Sequence, residues 1–456
     1  MRRRQLELSL IGTLALSAGC GQQPGAQIPA QPAAIQNTAT SLLLGGGKIR
    51  HVVIIFQENR TPDNLFQGLR GADTVRNGKN SRGQVVKLRP ISLTAPYDIS
   101  HKHDAYATEY DDGKLDGFNN VASLCKKGAH CPAPGVRAYG YVPRHEVEPY
   151  FTMAESYVFA DHMFQTNQGP SLPAHQYILS GTSTIVDGSP LRAAENGYTP
   201  ERKFTGGCDS PPGSQVWLIN PAGEENREIY PCFERQALID SVEAKRGLTW
   251  RYYQHHVGPG LWSGPDAIKH IRNSPAYRTH VVGPSSRVLT DIAGGKLANV
   301  VWVIPSVKSS DHAGQNDGSG PSWVASVVNA IGKSQYWDNT AIFVTWDDWG
   351  GWYDHVKPQQ LNSYELGFRV PLIVISAYAR KGFISHRRHE FGSILKFAEK
   401  VLGLDSLGTT DVRSDDLSDC FNFARPPRKF KIIPAALPPS YFLNSPPSTE
   451  EPDDDF

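Results

Sequence analysis

The sequence predicts an α/β fold: a mostly parallel central sheet flanked by helices, with loop-rich insertions. Three observations predict it. First, His51-Val-Val-Ile-Ile-Phe-Gln57 and Thr340-Ala-Ile-Phe-Val-Thr-Trp346 are apolar, β-branched runs without polar alternation, the pattern of strands buried on both faces. Second, further strand patterns at 249–254, 299–306 and 370–377 alternate with helical patterns, as βαβ units require. The helix expected at 321–331 begins with a proline suited to a first turn, and the one at 390–402 stops at Gly403. Third, long Gly/Pro/Asn/Asp-rich stretches near 71–145 and 185–245 read as insertions over one edge, of the kind that wall a binding site.

Along the chain, residues 1–20 read as a signal peptide of lipoprotein type. A basic Arg2-Arg3-Arg4 precedes a short apolar stretch from Leu8, and Ser17-Ala18-Gly19 leads to Cys20, the expected lipid acceptor. The apolar stretch is too short to span a bilayer comfortably. An exported protein of the periplasm or cell envelope, anchored to the membrane through a lipidated N-terminus, is therefore expected, and a secreted one otherwise. Residues 21–47 are expected to be a flexible linker, 48–433 the globular body and 434–456 a Pro-rich acidic tail, loosely ordered. Lys plus Arg (46) balances Asp plus Glu (45), so no basic field argues for a nucleic-acid partner. In an oxidising compartment Cys125 with Cys131, and Cys208 with Cys232, would close two loops and leave Cys420 single. A zinc knuckle at Cys125 and Cys131 lacks a second ligand pair.

The chemistry concentrates where strands end. The first run breaks into Glu58-Asn59-Arg60-Thr61 and the second into Asp347-Asp348. Ligands of open parallel sheets sit beyond the carboxyl ends of strands. Glu58, Asn59, Asp347 and Asp348 would thus meet at one rim as hard oxygen ligands for a divalent cation. Adjacent acids repel unless a cation compensates. Ser171, in Gly169-Pro-Ser-Leu-Pro173, sits where a helix should open and where free backbone N–H groups attract phosphoryl oxygen; on local sequence alone a plain helix-capping serine is the favoured reading. Of the histidines His101, His103, His255, His256, His312 and His355, His312 follows a predicted strand and points to the same rim.

The phrase from His51 to Thr61, Ser100-His-Lys-His-Asp-Ala with Asp111-Asp-Gly-Lys-Leu-Asp-Gly-Phe118, Gly169-Pro-Ser-Leu-Pro-Ala-His-Gln-Tyr177, Thr345-Trp-Asp-Asp-Trp-Gly-Gly-Trp-Tyr-Asp-His-Val356 and Gly367-Phe-Arg-Val-Pro-Leu-Ile-Val-Ile-Ser376 together resemble the bacterial phosphoesterase family of phospholipases C and acid phosphatases. The motifs keep the family's order over roughly 48–403. The resemblance implies an alkaline-phosphatase-like fold and metal-dependent hydrolysis of phosphate esters or phospholipids through a phosphoseryl intermediate. It implies one divalent ion on Glu58, Asn59, Asp347 and Asp348, with Ser171 as nucleophile and metal neighbour. His101, His312 and one of His255 and His256 would surround the phosphoryl group, His312 or His101 giving a proton to the departing alcohol. Departures are Thr61-Pro62-Asp63, where relatives carry Ser/Thr-Phe-Asp, and Asp348, where Glu is common. The resemblance does not extend to the repeated C-terminal domains of longer haemolytic members, so a compact phosphatase-like enzyme is also expected as an option. A sulfatase would need an Arg that Ser171-Leu-Pro-Ala-His175 lacks. A surface lipoprotein using the fold only for binding is the competing expectation from another class.

Overall fold

The structure, a computed structural model, describes residues 43–448. Cys20, residues 1–20 and most of the expected linker lie outside the described residues. One sheet of eight strands organises the body: β1 (His51–Gln57), β2 (Val158–Ala160), β3 (Trp250–Tyr253), β4 (Val281–Val282), β5 (Val300–Val303), β6 (Thr340–Trp346), β7 (Leu372–Ser376) and β8 (Phe383–Ser385). Their spatial order is β4-β3-β5-β1-β6-β7-β2-β8. All run parallel except β7, which is antiparallel to β6 and to β2. The polarity of β7 has a local cause: it returns directly from β6, with no crossover helix in the intervening segment.

β1 and β6 lie at the centre, and every residue of the two is fully buried apart from His51. This explains their unbroken apolar patterns. Helices α1 (His103–Tyr110), α2 (Glu148–Ser156), α3 (Ser171–Ser180), α4 (Gly320–Gly332) and α5 (Phe391–Leu402) are the main ones around the sheet. Within α3 all ten residues are buried, and Gly181 ends it in a left-handed conformation at φ 63°. The 185–245 insertion folds into small antiparallel pairs, among them a three-stranded ribbon of Arg192–Ala193, Val216–Ile219 and Glu225–Ile229.

Cys125–Cys131 and Cys208–Cys232 are both disulfide-bonded, and Cys420 is a buried free thiol. The bond between Cys125 and Cys131 rules out a zinc knuckle there. Of the tail, residues 434–448 are described, and they pack against α4. They carry α6 (Pro439–Asn444), with Phe442 buried against Trp323 of α4 at a ring distance of 5.3 Å. Upstream, Asn329 of α4 bonds both the N–H and the C=O of Ile433. Phe442 and the backbone of Ile433 thus tie this stretch to α4. Among the described residues, no helix is long and apolar enough to cross a membrane.

Candidate active site

The site begins with strand register. Gln57 and Trp346 are paired at the ends of β1 and β6, and Asp347 N–H donates to Gln57 O at 2.9 Å. Glu58-Asn59 and Asp347-Asp348 therefore leave neighbouring strands at the same level. The two turns are then stitched together: Asn59 N–H donates to Asp347 Oδ1 at 2.9 Å, and Arg60 N–H donates to Asp348 O at 3.0 Å. Asn59 adopts a left-handed φ of 61°, which asparagine tolerates. Gly350, also at φ 61°, allows the close approach, since a Cβ there would lie 2.5 Å from Asn59 O. All four proposed ligands are fully buried.

Ser171 is the first residue of α3, capped by Pro170 rather than capping the helix itself. Its Oγ lies 3.5 Å from Glu58 Oε2. The sequence reading offered several helix N–H groups to a phosphoryl oxygen, and the structure reduces them. Leu172 N–H donates to Asn196 Oδ1 at 2.9 Å, and Pro173 has none, so Ser171's own N–H is what the first turn has to offer.

One residue missing from the sequence-predicted set stands at the centre. His175, one helical turn after Ser171, places Nε2 3.3 Å from Glu58 Oε1 and Nδ1 3.3 Å from the Tyr252 hydroxyl. Glu58, His175 and Asp347 each bring a ligand atom within 4.8 Å of the others. The signal was there, an i, i+4 Ser–His pair that any helix puts on one face.

The predicted histidines separate. His101 Nδ1 donates to Ile99 O at 2.8 Å, which leaves Nε2 to accept the Asn59 side-chain amide at 3.0 Å. Through Nε2 it holds the Asn59 side chain in place. His312 lies beside it, at a ring distance of 6.0 Å, and its Nδ1 donates to Ala313 O at 2.8 Å. His255 is buried and meets Trp262, whose ring also stacks near His175 at 6.3 Å. His256 packs edge-on against His255 and is only partly buried, so His255 is the member of the pair nearer the centre. His103 is bonded to Glu225, and His355 bridges Asp63 and Asp73 at 2.7 and 3.0 Å, so neither joins the site.

The Thr61-Pro62-Asp63 departure also finds its place. Thr61 Oγ1 caps the short turn Pro62–Leu65, and Asp63 accepts from His355 and from Val75 N–H. Its two carboxylate oxygens serve the scaffold. Arg60 is buried and donates to Asp311 O, Asn64 Oδ1 and Leu93 O, and its guanidinium lies over Trp352. Burial pushes the Asp311 carboxyl up to about 6, against the pull of Arg60.

Whether a divalent cation suits these residues can be tested on their atoms. Asp347 Oδ2 and Asn59 Oδ1 are buried with no hydrogen-bond partner, an expensive condition for polar oxygen. Carboxylate and amide oxygens with an imidazole behind them form a donor set that a divalent ion satisfies. The residues fit.

A cavity of about 730 Å³ opens beside the site. Asn196, which bonds Leu172, lines it together with Lys102, next to His101, and with His103, Glu195, Tyr198 and Trp217. A second cavity, of about 500 Å³, runs from His255 to Trp323 and the α6 segment.

The sequence model of the phosphoesterase family matches residues 49–405. The chain belongs to that family. It is a phosphoric ester hydrolase by membership, and the competing expectation of a non-catalytic lipoprotein finds no support. Phospholipase C A of Mycobacterium tuberculosis is 22% identical, covering 83% of this chain and 78% of its own length. A non-hemolytic phospholipase C of Pseudomonas aeruginosa is 23% identical over 83% of this chain and 58% of its own. Among solved structures, a protein in the alkaline phosphatase superfamily from Vibrio parahaemolyticus aligns with a TM-score of 0.36 and 10% identity, covering 81% of this chain and 70% of that one.

Proposed function

We propose that this phosphoesterase cleaves its ester through a covalent phosphoseryl intermediate on Ser171, with one divalent cation held by Glu58, Asn59, Asp347 and Asp348 next to the Ser171 hydroxyl. The observation that carries the proposal is the placement of Ser171 Oγ 3.5 Å from Glu58, within a buried set that also contains Asp347 and His175. A cation bound there would lower the pKa of the serine hydroxyl and neutralise charge on the phosphoryl oxygens.

The chain's own residues do the rest. Ser171 Oγ attacks phosphorus as its proton passes to Glu58 Oε2, 3.5 Å away, and the bond from phosphorus to the alcohol oxygen breaks. His312, anchored through Nδ1, gives the departing alcohol a proton from Nε2. Water then attacks the phosphoserine, releasing phosphate or a phosphorylated head group and restoring the hydroxyl. His101 holds Asn59 in register, and burial of the whole set strengthens each electrostatic contact.

Phospholipid diesters are the first substrate class to test, because the curated relatives are named as phospholipases C. The 730 Å³ cavity beside α3 has room for the group that leaves or stays bound. Hydrolysis of phosphatidylcholine vesicles compared with a soluble aryl phosphate separates the two substrate readings. Acid-quench trapping of a labelled phosphoryl group on Ser171 tests the covalent step; a chain that turns over without ever carrying label defeats it. We further propose export with acylation at Cys20. The mass of the mature N-terminus checks this, and an unacylated terminus beyond Cys20 contradicts it.

A further inference from the structure

At the β8 edge of the sheet, the structure repeats the device that builds the candidate active site. β2 and β8 are parallel neighbours paired at Ala160 and Ser385, so Asp161 and His386 leave their strands at one level, on the rim where β1 and β6 end. His386 Nδ1 lies 2.9 Å from the Asp161 carboxylate. With His162 they bring three ligand atoms within 4.8 Å of one another. We propose that Asp161, His162 and His386 form a second, structural metal site of the zinc class, separate from the cation at Glu58 and Asp347.

The surroundings favour an ion. Asp161 is fully buried, and its carboxylate is paired with the imidazole of His386, which is 58% exposed. A buried carboxylate held this way has a poorly fixed countercharge. Its second partner, the Asp73 N–H at 2.7 Å, orients it. Asp73 Oδ2 in turn lies 2.9 Å from His162 Nε2 and so fixes the orientation of that ring. A carboxylate behind a ligating histidine is the usual way such a ligand is aimed. Arg369 completes the support by donating to both Asp73 O and Asp161 O at 2.9 Å. Two imidazoles and a carboxylate, with the histidines open to solvent, make an accessible three-ligand set for zinc.

Two comparable groups differ where it matters. Asp63, Asp354 and His355 already enclose the Arg369 guanidinium, whose Nε is 3.0 Å from Asp354. The group of His389, Asp419 and Cys420 depends on a thiol that burial holds in its protonated form. The Asp161 group has neither obstacle.

Equilibrium dialysis against Zn2+, with metal content read by mass spectrometry, tests the site on the full chain. His386→Ala removes an exposed side chain, so the fold is expected to survive, which circular dichroism checks. The wild type should hold one more equivalent of zinc than His386→Ala. A chain carrying Glu58→Gln and Asp347→Asn should keep that equivalent, so failure at the catalytic cation and failure here are told apart. Co2+ should give the wild type a visible absorption band that His162→Gln loses. Equal zinc in the wild type and His386→Ala, or a cobalt band unchanged in His162→Gln, overturns the proposal.

Discussion

Asp347 Oδ1 accepts the backbone N–H of Asn59 at 2.9 Å and that of Asp348 at 2.7 Å, so one oxygen ties the ends of two neighbouring strands together while Oδ2 faces the site unpaired. The two oxygens have separable duties. Asp347→Asn keeps an acceptor for both N–H groups and loses the charge. It should lower kcat/KM roughly a thousandfold, about 4 kcal/mol of transition-state stabilisation, with little change in urea stability. Asp347→Ala leaves both buried N–H groups unmatched and should also cost about 1–3 kcal/mol of folding stability. An Asp347→Asn enzyme within tenfold of wild type would remove Asp347 from the catalytic set.

Ser171→Ala should reduce turnover by about 10⁴-fold or more, the scale seen when an activated nucleophile is deleted. It should leave stability nearly unchanged, because the hydroxyl neither caps α3 nor makes a contact shorter than the one to Glu58. Ser171→Thr, with a hydroxyl kept at the same place, should retain activity that Ser171→Ala lacks. Steady-state kinetics and thermal melts on the three proteins check both halves.

Much of this was legible from residues. The apolar runs at His51–Gln57 and Thr340–Trp346 identify central strands because only burial on both faces tolerates such composition. Carboxylates immediately after them identify the rim. What could not be read was register: that Gln57 pairs with Trp346, and so brings Glu58 level with Asp347, is a tertiary fact. The same holds for the histidines. Nothing in Ser100-His-Lys-His tells that His101 spends one nitrogen on Ile99 and the other on Asn59. The antiparallel β7 was hidden because an apolar run carries no direction.

Glu399, buried in α5 near Asp411, has its carboxyl pushed up to about 7 by burial first and by the neighbouring acid second. Between its unfolded value and about 7 such a group binds more protons in the folded chain than in the unfolded one. Stability from this residue therefore falls as pH rises from about 4 to about 7 and is level above that. Glu399→Gln keeps an oxygen for the Leu407 N–H, which Glu399 Oε1 accepts at 3.1 Å. Melting temperature against pH should slope downward less steeply for Glu399→Gln across that window. Superimposable curves would show that the carboxyl titrates alike in both states. Asp266, also pushed up to about 7 by burial, should account for part of the slope that persists.

His175 offers the sharpest test of the site because neither charge nor nucleophile is removed. It stands between Glu58 and Tyr252, and Tyr252 is itself fixed by donating to Trp262 O at 2.7 Å. Whether it ligates the cation or only aims Glu58, its loss should weaken divalent-ion affinity by about 10–100-fold, the usual cost of disturbing a ligand's support. His175→Ala should also open a void against Phe56, whose ring meets His175 edge-on at 4.8 Å, and cost stability. His175→Gln fills most of that space and can still donate to Glu58. If His175 only aims Glu58, Gln recovers both stability and most of the metal affinity. If His175 is a ligand, Gln recovers stability alone. Titration of Mg2+, Mn2+ and Zn2+ into the three proteins, with activity and melting temperature followed together, distinguishes these outcomes, and unchanged affinity in His175→Ala would exclude both.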